Sequence, residues 1–347
     1  MRQNSRPVLD LCRLAAALLV ITIHTAPLSD VSAGADFFLT RILARVAVPY
    51  FFMLTGYFLE KGQWHGMGHT LGKTALIYAF SVLLYLPLNL YAGAFAPFSP
   101  GQFLKELLVD GTFYHLWYLP AVLLGVPVAW ALRRLGWKGG LAAAGALYLL
   151  GLLGDSYYGF AARVPLLKAM YEGLFTVSSY TRNGLFFAPL FLLLGALCTR
   201  VRLKWAWPLA AGSFAAMCAE AFLLKAAGAP QHDSMYVMLP LCMMALFSGL
   251  VQNNAGRCRA AAGTALWVYL LHPWCIVLVR GAAKVLGLQK LFVESGPGHF
   301  IAVALASFAL AFCAQWAAAR LAPARVPAAA RAWREVDLAA LRHNAQV

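Results

Sequence analysis

Long apolar runs, separated by short clusters of charge, constrain this chain more than any other feature of its sequence. Each run has roughly 17 to 25 residues, the length that a helix needs to cross about 30 Å of hydrocarbon. Of the 347 residues, 62% are hydrophobic and only 12% are charged. A single soluble core is excluded, and so is a membrane β-barrel, whose strands are short and alternate in polarity. The chain is therefore predicted to be an integral membrane protein.

A window of about 19 residues predicts a bundle of about ten transmembrane helices and an all-α fold class. The first run is a retained span rather than a signal peptide, because Asp10 and Arg13 interrupt it and no small-residue cleavage pattern follows. The two longest outer loops, 94 to 114 and 155 to 183, are expected to fold over the surface as short helices. The predicted spans are 8 to 27, 37 to 59, 74 to 93, 115 to 132, 140 to 154, 184 to 199, 205 to 224, 235 to 252, 261 to 281 and 299 to 320.

The basic residues predict how the bundle is oriented. If the N-terminus is cytoplasmic, sixteen lysines and arginines lie in inside segments and eight in outside segments. Cytoplasmic loops collect these residues, so both termini are predicted to be cytoplasmic. The same rule accounts for the net charge of +15 without a nucleic-acid partner. The seven cysteines are scattered without metal-ligand spacing, so no metal site is predicted.

Four polar side chains in the first span share one helical face. At 100° per residue, Arg6, Asp10, Arg13 and His24 lie within about 60° of one another, with His24 about 16 Å beyond Arg13. Arg6, Asp10 and Arg13 can alternatively be interfacial residues that only snorkel. His24 has no such explanation, because ionisable groups inside spans are costly and are often functional.

Further ionisable groups are expected at one depth in the outer half of the bundle. Arg45 lies deep in the second span, four residues before Pro49, which frees a carbonyl group that needs a partner. A bond between helices is the competing interpretation for Arg45, and a satisfied core residue is the competing interpretation for any single histidine. Convergence from several spans nevertheless favours a substrate site. The other candidate substrate-binding residues are His115, Trp117, Arg182, His232, Asp233 and His272.

Five motifs follow one another along the chain: Arg6 to His24, Arg45 with Val48-Pro49, Phe51-Phe52 and Gly56-Tyr57, His115 to Leu119, Arg182-Asn183 with Phe187 and Gly195, and Leu271-His272-Pro273. In this order and spacing they resemble the acyltransferase-3 family of multispan membrane proteins over roughly residues 6 to 320. Within that family, His232 to Tyr236 and the C-terminal tail resemble the membrane half of the vancomycin-resistance-type serine and alanine racemases, which implies the inner membrane of a bacterium.

The resemblance divides the chain into three parts: a transmembrane domain at 1 to 322, a Pro/Ala-rich connector at 323 to 330, and a segment at 331 to 347. That last segment is similar to the opening strand and helix of pyridoxal-phosphate alanine racemases, and the sequence ends within it. Racemisation needs a lysine for the Schiff base. Because the last lysine is Lys290, on the predicted outer side, racemisation is not expected in this chain. Pyridoxal phosphate, and a route to a homodimer, would belong to the rest of that domain.

The resemblance implies transfer of an acyl group from acyl-coenzyme A, as donor substrate, to a hydroxyl group on a saccharide or another acceptor. His24 would be the base, and Arg13 and Arg45 would be electrostatic contacts. Asp10 is the third member of the predicted catalytic set, with His24 and Arg13. Arg6, Arg13 and Lys73 would hold the coenzyme phosphates. Two alternatives stay open: a path for L-serine uptake that feeds a racemase domain, and a membrane anchor or sensor.

Overall fold

The computed structural model describes residues 8–252 and 259–321, and within these ranges every regular element is helical. The all-α prediction is therefore confirmed for the described part. Arg6, the connector and the racemase-like segment lie outside the described residues. The main helices are α1 (Val8–Thr25), α2 (Ala33–Lys61), α3 (Met67–Tyr91), α4 (Tyr118–Arg133), α5 (Gly136–Leu153), α6 (Pro165–Val177), α7 (Ala188–Leu197), α8 (Ala206–Ala226), α9 (Leu239–Gln252), α10 (Arg259–Leu286) and α11 (Gly296–Leu321).

Seven of the helices in the described ranges are long and apolar enough to cross a membrane: α1, α2, α3, α5, α8, α10 and α11. Three others fall at predicted spans but have only 16, 10 and 14 residues: α4, α7 and α9. Each of the three follows a non-helical segment, at 111–117, 178–187 and 227–238. Ten crossings and cytoplasmic termini stay predictions.

The three short helices nevertheless run between the same two sides of the bundle as the long helices. Glu60 near the end of α2 accepts from Arg133 at the end of α4 and lies 3.5 Å from Arg200 beyond α7. We call this side of the bundle the basic end. The opposite side, the loop end, holds the three non-helical segments, and there Arg182 donates to Ser234. Helices α4, α7 and α9 therefore run from the loop end towards the basic end.

The two loops predicted to be outer contain short helices, as predicted: Pro100–Lys105, Glu106–Asp110, Tyr158–Ala161 and α6. Helix α6 begins with Pro165 in its first turn, where a missing N–H costs nothing. It buries Tyr171 and exposes Leu166 and Met170. Helix α2 is irregular around its arginines, because a π-helical turn (Phe38–Ile42) and a 3-10 turn (Leu43–Val46) precede Pro49. Pro49 has no N–H to donate to the carbonyl group of Arg45.

Helices α2 and α7 pack backbone against backbone through two glycines. A Cβ on Gly56 would overlap the Leu192 carbonyl group of α7. A Cβ on Gly195 would overlap the Met53 carbonyl group of α2. Small residues allow such close approach between helices in membranes. This contact fixes the position of the α2 segment that carries Arg45 relative to the loop before α7, which carries Arg182.

Candidate active site

A cavity of about 810 Å³ lies between α1, α2, α3, α4 and α10. Along α1 its wall extends from Asp10 to His24, a distance of about 21 Å at 1.5 Å per residue. Along α2 it extends from Arg45 to beyond the end of the helix at Gly62. The cavity therefore connects the basic end of the bundle with its loop end, and the predicted polar face of α1 forms part of its wall.

The mouth at the basic end is lined by charged and polar groups from α1 and α3. Arg13 donates from Nη1 to Asp10 Oδ1 over 3.0 Å, one turn away on the same helix. Lys73 and His69, also one turn apart, face them from α3, and Gly66 leaves room at the start of that helix. Three of these side chains carry or can carry positive charge, so this mouth suits an anionic group.

Three histidines meet at the other end of the cavity. The His24 ring stacks on the His272 ring with centroids 5.3 Å apart and planes at 27°. The His115 ring meets the His272 ring edge-on at 5.2 Å. Tyr114 also contacts His24, with ring centroids 4.6 Å apart. These side chains come from α1, from the segment before α4 and from the middle of α10.

Hydrogen bonds determine which nitrogen of His272 carries the proton. Its Nδ1 lies 2.9 Å from the Tyr269 carbonyl oxygen and 3.2 Å from that of Val268. Carbonyl oxygens only accept, so Nδ1 must be the donor and, in a neutral ring, Nε2 is an acceptor. His272 Nε2 and both ring nitrogens of His115 are buried and have no hydrogen-bond partner among the described residues. The cluster thus holds unused hydrogen-bonding capacity next to His24.

Two arginines complete this end of the cavity. Arg45 is 9% exposed, and its Nε and Nη2 are buried without a partner in the described chain. Arg182 donates from Nη1 to Ser234 Oγ over 2.7 Å, and its guanidinium group lies 4.3 Å from the centroid of the Tyr180 ring. Its Nε is also without a described partner. Both arginines line the cavity and keep N–H groups free to donate.

A buried carboxylate supports Arg182 indirectly. Asp155, just beyond the end of α5, accepts through Oδ1 from the backbone N–H groups of Ser234 and Met235 and from the Ser156 hydroxyl. These bonds anchor the loop at Ser234, whose hydroxyl group accepts from Arg182. Burial raises the pKa of Asp155 to about 6, although the charge of Arg182 and the hydrogen bonds act in the opposite direction.

The structure brings most of the predicted site residues to this cavity and leaves two outside it. Asp10, Arg13, His24, Arg45, Lys73, His115, Trp117 and Arg182 line the cavity, and His272 touches two of them. His232 and Asp233 do not line it. The His232 ring packs against Tyr180, 4.6 Å away, and burial lowers the pKa of His232 to about 4. Position in the sequence does not show which residue of a loop points into a site. In the motif His232 to Tyr236, Ser234 is the residue that bonds to Arg182.

Three residues of the site were not predicted from the sequence: His69, Tyr114 and Asp155. Ser234 was predicted only as part of the motif His232 to Tyr236. His69 had a detectable signal, since it precedes the predicted coenzyme contact Lys73 by one helical turn. Asp155 was also detectable as an acidic residue directly after an apolar span. Tyr114 and Ser234 lie in loops, where no periodicity reports which direction a side chain takes.

The chain is 38% identical to an amino-acid racemase of Enterococcus faecalis, with 99% of this chain and 50% of that protein aligned. A second amino-acid racemase of the same species is 36% identical, over 97% of this chain and 50% of the relative. A serine/alanine racemase of Enterococcus gallinarum is 34% identical over 77% of this chain and 40% of its own length. The chain thus spans about half the length of the curated relatives that it matches.

No solved structure matches the chain. The acyltransferase-3 family model, described as an acyltransferase domain, matches residues 6–316. That match includes α1 with the mouth of the cavity, the histidine cluster, and the two arginines Arg45 and Arg182. The chain belongs to the acyltransferase-3 family.

Proposed function

We propose that this domain transfers an acyl group from an acyl-coenzyme A, bound at the basic end of the cavity, to a hydroxyl group of an acceptor at the loop end. The observation that carries the proposal is that one continuous cavity joins the cationic mouth to the histidine cluster. Arg13, Lys73 and His69 would hold the coenzyme phosphates, as would Arg6. The acyl-bearing arm would extend along α1 towards His24.

His24 is the proposed general base. It takes the proton of the acceptor hydroxyl while that oxygen attacks the thioester carbonyl, the new C–O bond forms, and the C–S bond breaks to release the coenzyme thiolate. His272 is a positioning residue for His24, because its ring is stacked on His24 and is itself held by two backbone carbonyl groups. Asp10 keeps Arg13 in place at the mouth through their ion pair.

The test uses the purified protein in detergent with radiolabelled acetyl-coenzyme A, and measures free thiol and labelled ester. We expect His24→Ala to lower the rate by roughly 10² or more, the usual scale for loss of a general base. His65→Ala is the matched control, because His65 is exposed and does not line the cavity. Wild-type rates in His24→Ala, or no coenzyme release by the wild-type protein with any hydroxyl acceptor, would refute the proposal.

L-serine uptake is the second candidate function, and the names of the relatives favour it. A racemase domain consumes an amino acid, and a cavity between the two ends of the bundle offers a path for one. The two candidates differ in their need for coenzyme. Transport predicts that proteoliposomes accumulate labelled L-serine without acyl-coenzyme A, whereas acyl transfer predicts coenzyme release without accumulation. An anchor or sensor would do neither.

We also propose that the parent protein carries a racemase domain after this membrane domain. The support is that the relatives named as racemases are about twice as long as the aligned region. Pyridoxal phosphate and its Schiff-base lysine would belong to that second domain, as would any homodimer contact made through it. This membrane domain would then lie in the inner membrane, with the lipid bilayer and a small-molecule substrate as its partners.

A further inference from the structure

The loop end of the cavity holds more positive charge than its described surroundings neutralise. Arg45 and Arg182 both line it. Within the described chain, no carboxylate oxygen lies within 4.0 Å of these guanidinium groups. Asp155 attracts both cavity arginines from further away. Its Oδ1 is engaged by three donors, and its buried Oδ2 has no hydrogen-bond partner among the described residues.

The unused donors on the two arginines have a definite chemistry. Arg45 has two buried nitrogens without partners and Arg182 has one. An unpaired buried charge is costly, so a ligand that brings negative charge would offset that cost. The planar fork of a guanidinium group matches a carboxylate in a bidentate pair, and this match distinguishes arginine from lysine. Both forks lie in the wall that also holds His24.

We infer that Arg45 and Arg182 form a carboxylate-binding subsite, and that the acceptor is a small molecule with a carboxylate near its hydroxyl group: a hydroxy acid or a hydroxy amino acid. The identity of the acceptor rests on the proposed acyl transfer, whereas the carboxylate subsite does not. The carboxylate would pair with the arginines, and this would direct the hydroxyl group towards His24.

Stabilisation of the reacting oxyanion is the competing role for these arginines. An oxyanion exists only while the thioester is being attacked, so it leaves the charge imbalance of the resting protein unchanged. A substrate carboxylate is charged from the moment it binds. The two roles therefore differ in ground-state binding: only a carboxylate subsite predicts that a small carboxylate binds saturably without any acyl donor.

Isothermal titration calorimetry of the whole protein in detergent measures this binding with L-serine and L-lactate as probes. Serinol and propane-1,2-diol, in which a hydroxymethyl group replaces the carboxylate, are the matched ligands. We expect saturable binding of a carboxylate and at least about tenfold weaker binding of its matched alcohol, which corresponds to about 1.4 kcal/mol. No saturable binding of either carboxylate at millimolar concentration would overturn the inference.

Variants locate the subsite. Arg45→Gln and Arg182→Gln should each weaken carboxylate binding by about tenfold or more, since each removes a charge-assisted pair. Arg41→Gln is the control, because Arg41 is exposed and lies outside this cavity. Arg45→Gln should also raise the unfolding temperature of the ligand-free protein, because a neutral group replaces an unpaired buried charge. A lower unfolding temperature together with unchanged carboxylate affinity would identify Arg45 as a structural bond between helices.

Two further results separate this inference from the proposed function. If Arg45→Gln weakens the affinity for coenzyme A and not for the carboxylate, the arginines bind the donor phosphates and the inference fails. If carboxylates bind and Arg45→Gln weakens them, the subsite stands even where no acyl transfer is detected. Acyl transfer to glycerol at the rate seen with L-lactate would leave the proposed function intact and refute the acceptor class.

Discussion

Adding one methyl group at the α2–α7 contact should destabilise the protein severely. A Cβ on Gly195 would lie 2.5 Å from both Cα and C of Met53, and its carbonyl oxygen would be closer still. Ordinary van der Waals contact begins at 3.4 Å, so the two helices must separate by more than about 0.9 Å to accommodate Gly195→Ala, because the carbonyl oxygen is the nearest atom. The obstructing atoms belong to the backbone, so a change of side-chain rotamer does not relieve the overlap.

The expected cost follows from that geometry. Overpacking a core typically costs about 1 to 3 kcal/mol, and we place Gly195→Ala at the upper end or above because backbone must move. At about 2 to 4 °C for each kcal/mol, the unfolding temperature should fall by several degrees. Gly56→Ala should behave similarly, since a Cβ there would lie 2.7 Å from the carbonyl carbon of Leu192.

Thermal unfolding in detergent, followed by circular dichroism, measures the effect against two control variants. Gly145→Ala in α5 and Gly212→Ala in α8 add the same methyl group where nothing lies within 4 Å. Alanine has the higher helix propensity by about 1 kcal/mol, so the controls should be neutral or stabilising. If Gly195→Ala unfolds at the same temperature as Gly145→Ala, the close approach of α2 and α7 is refuted.

Four other predictions concern topology, pH, the coenzyme and the parent gene. A reporter fused after Val347 should read as cytoplasmic and one near Pro230 as external; an external signal at Val347 would mean a miscounted span. The pKa of Asp155 is raised to about 6 in the folded state, so between about pH 4 and 6 the native protein holds a proton on Asp155 that the unfolded chain has lost. The contribution of Asp155 to the free energy of unfolding should therefore fall as the pH rises from about 4 to 6. Chemical unfolding across that range should show this slope in the wild-type protein and not in Asp155→Asn. Lys73→Gln should weaken coenzyme A binding by about tenfold in calorimetry, with affinity for L-lactate unchanged; equal coenzyme affinity would exclude Lys73 from the mouth site. Reading the parent gene past the Val347 codon should reveal a racemase domain with a Schiff-base lysine, and a stop codon there would refute the fusion.

Local properties of the sequence determined the secondary structure and one face of the site. Hydropathy over a 19-residue window is a sum over neighbours, and helices are found at all ten predicted positions. The polar face of α1 follows from the fixed 100° step of a helix, and its described members Asp10, Arg13 and His24 all line the cavity. These inferences succeeded because they need no knowledge of what the helix packs against.

Contacts between distant segments were decided only by the tertiary structure. His24 stacks on His272, 248 residues later in the chain, and no periodicity within either helix reports that meeting. The sequence placed His232 and Asp233 at the site with Arg182, yet the neighbouring Ser234 makes the contact, because Asp155 holds the backbone of that segment. Gly56 and Gly195 are recognisable as motif residues, but their role depends on how closely two backbones approach. Hydropathy and helical period act over a few turns, whereas the direction of a loop side chain depends on hydrogen bonds to residues far away in the chain, which exist only once the helices have packed.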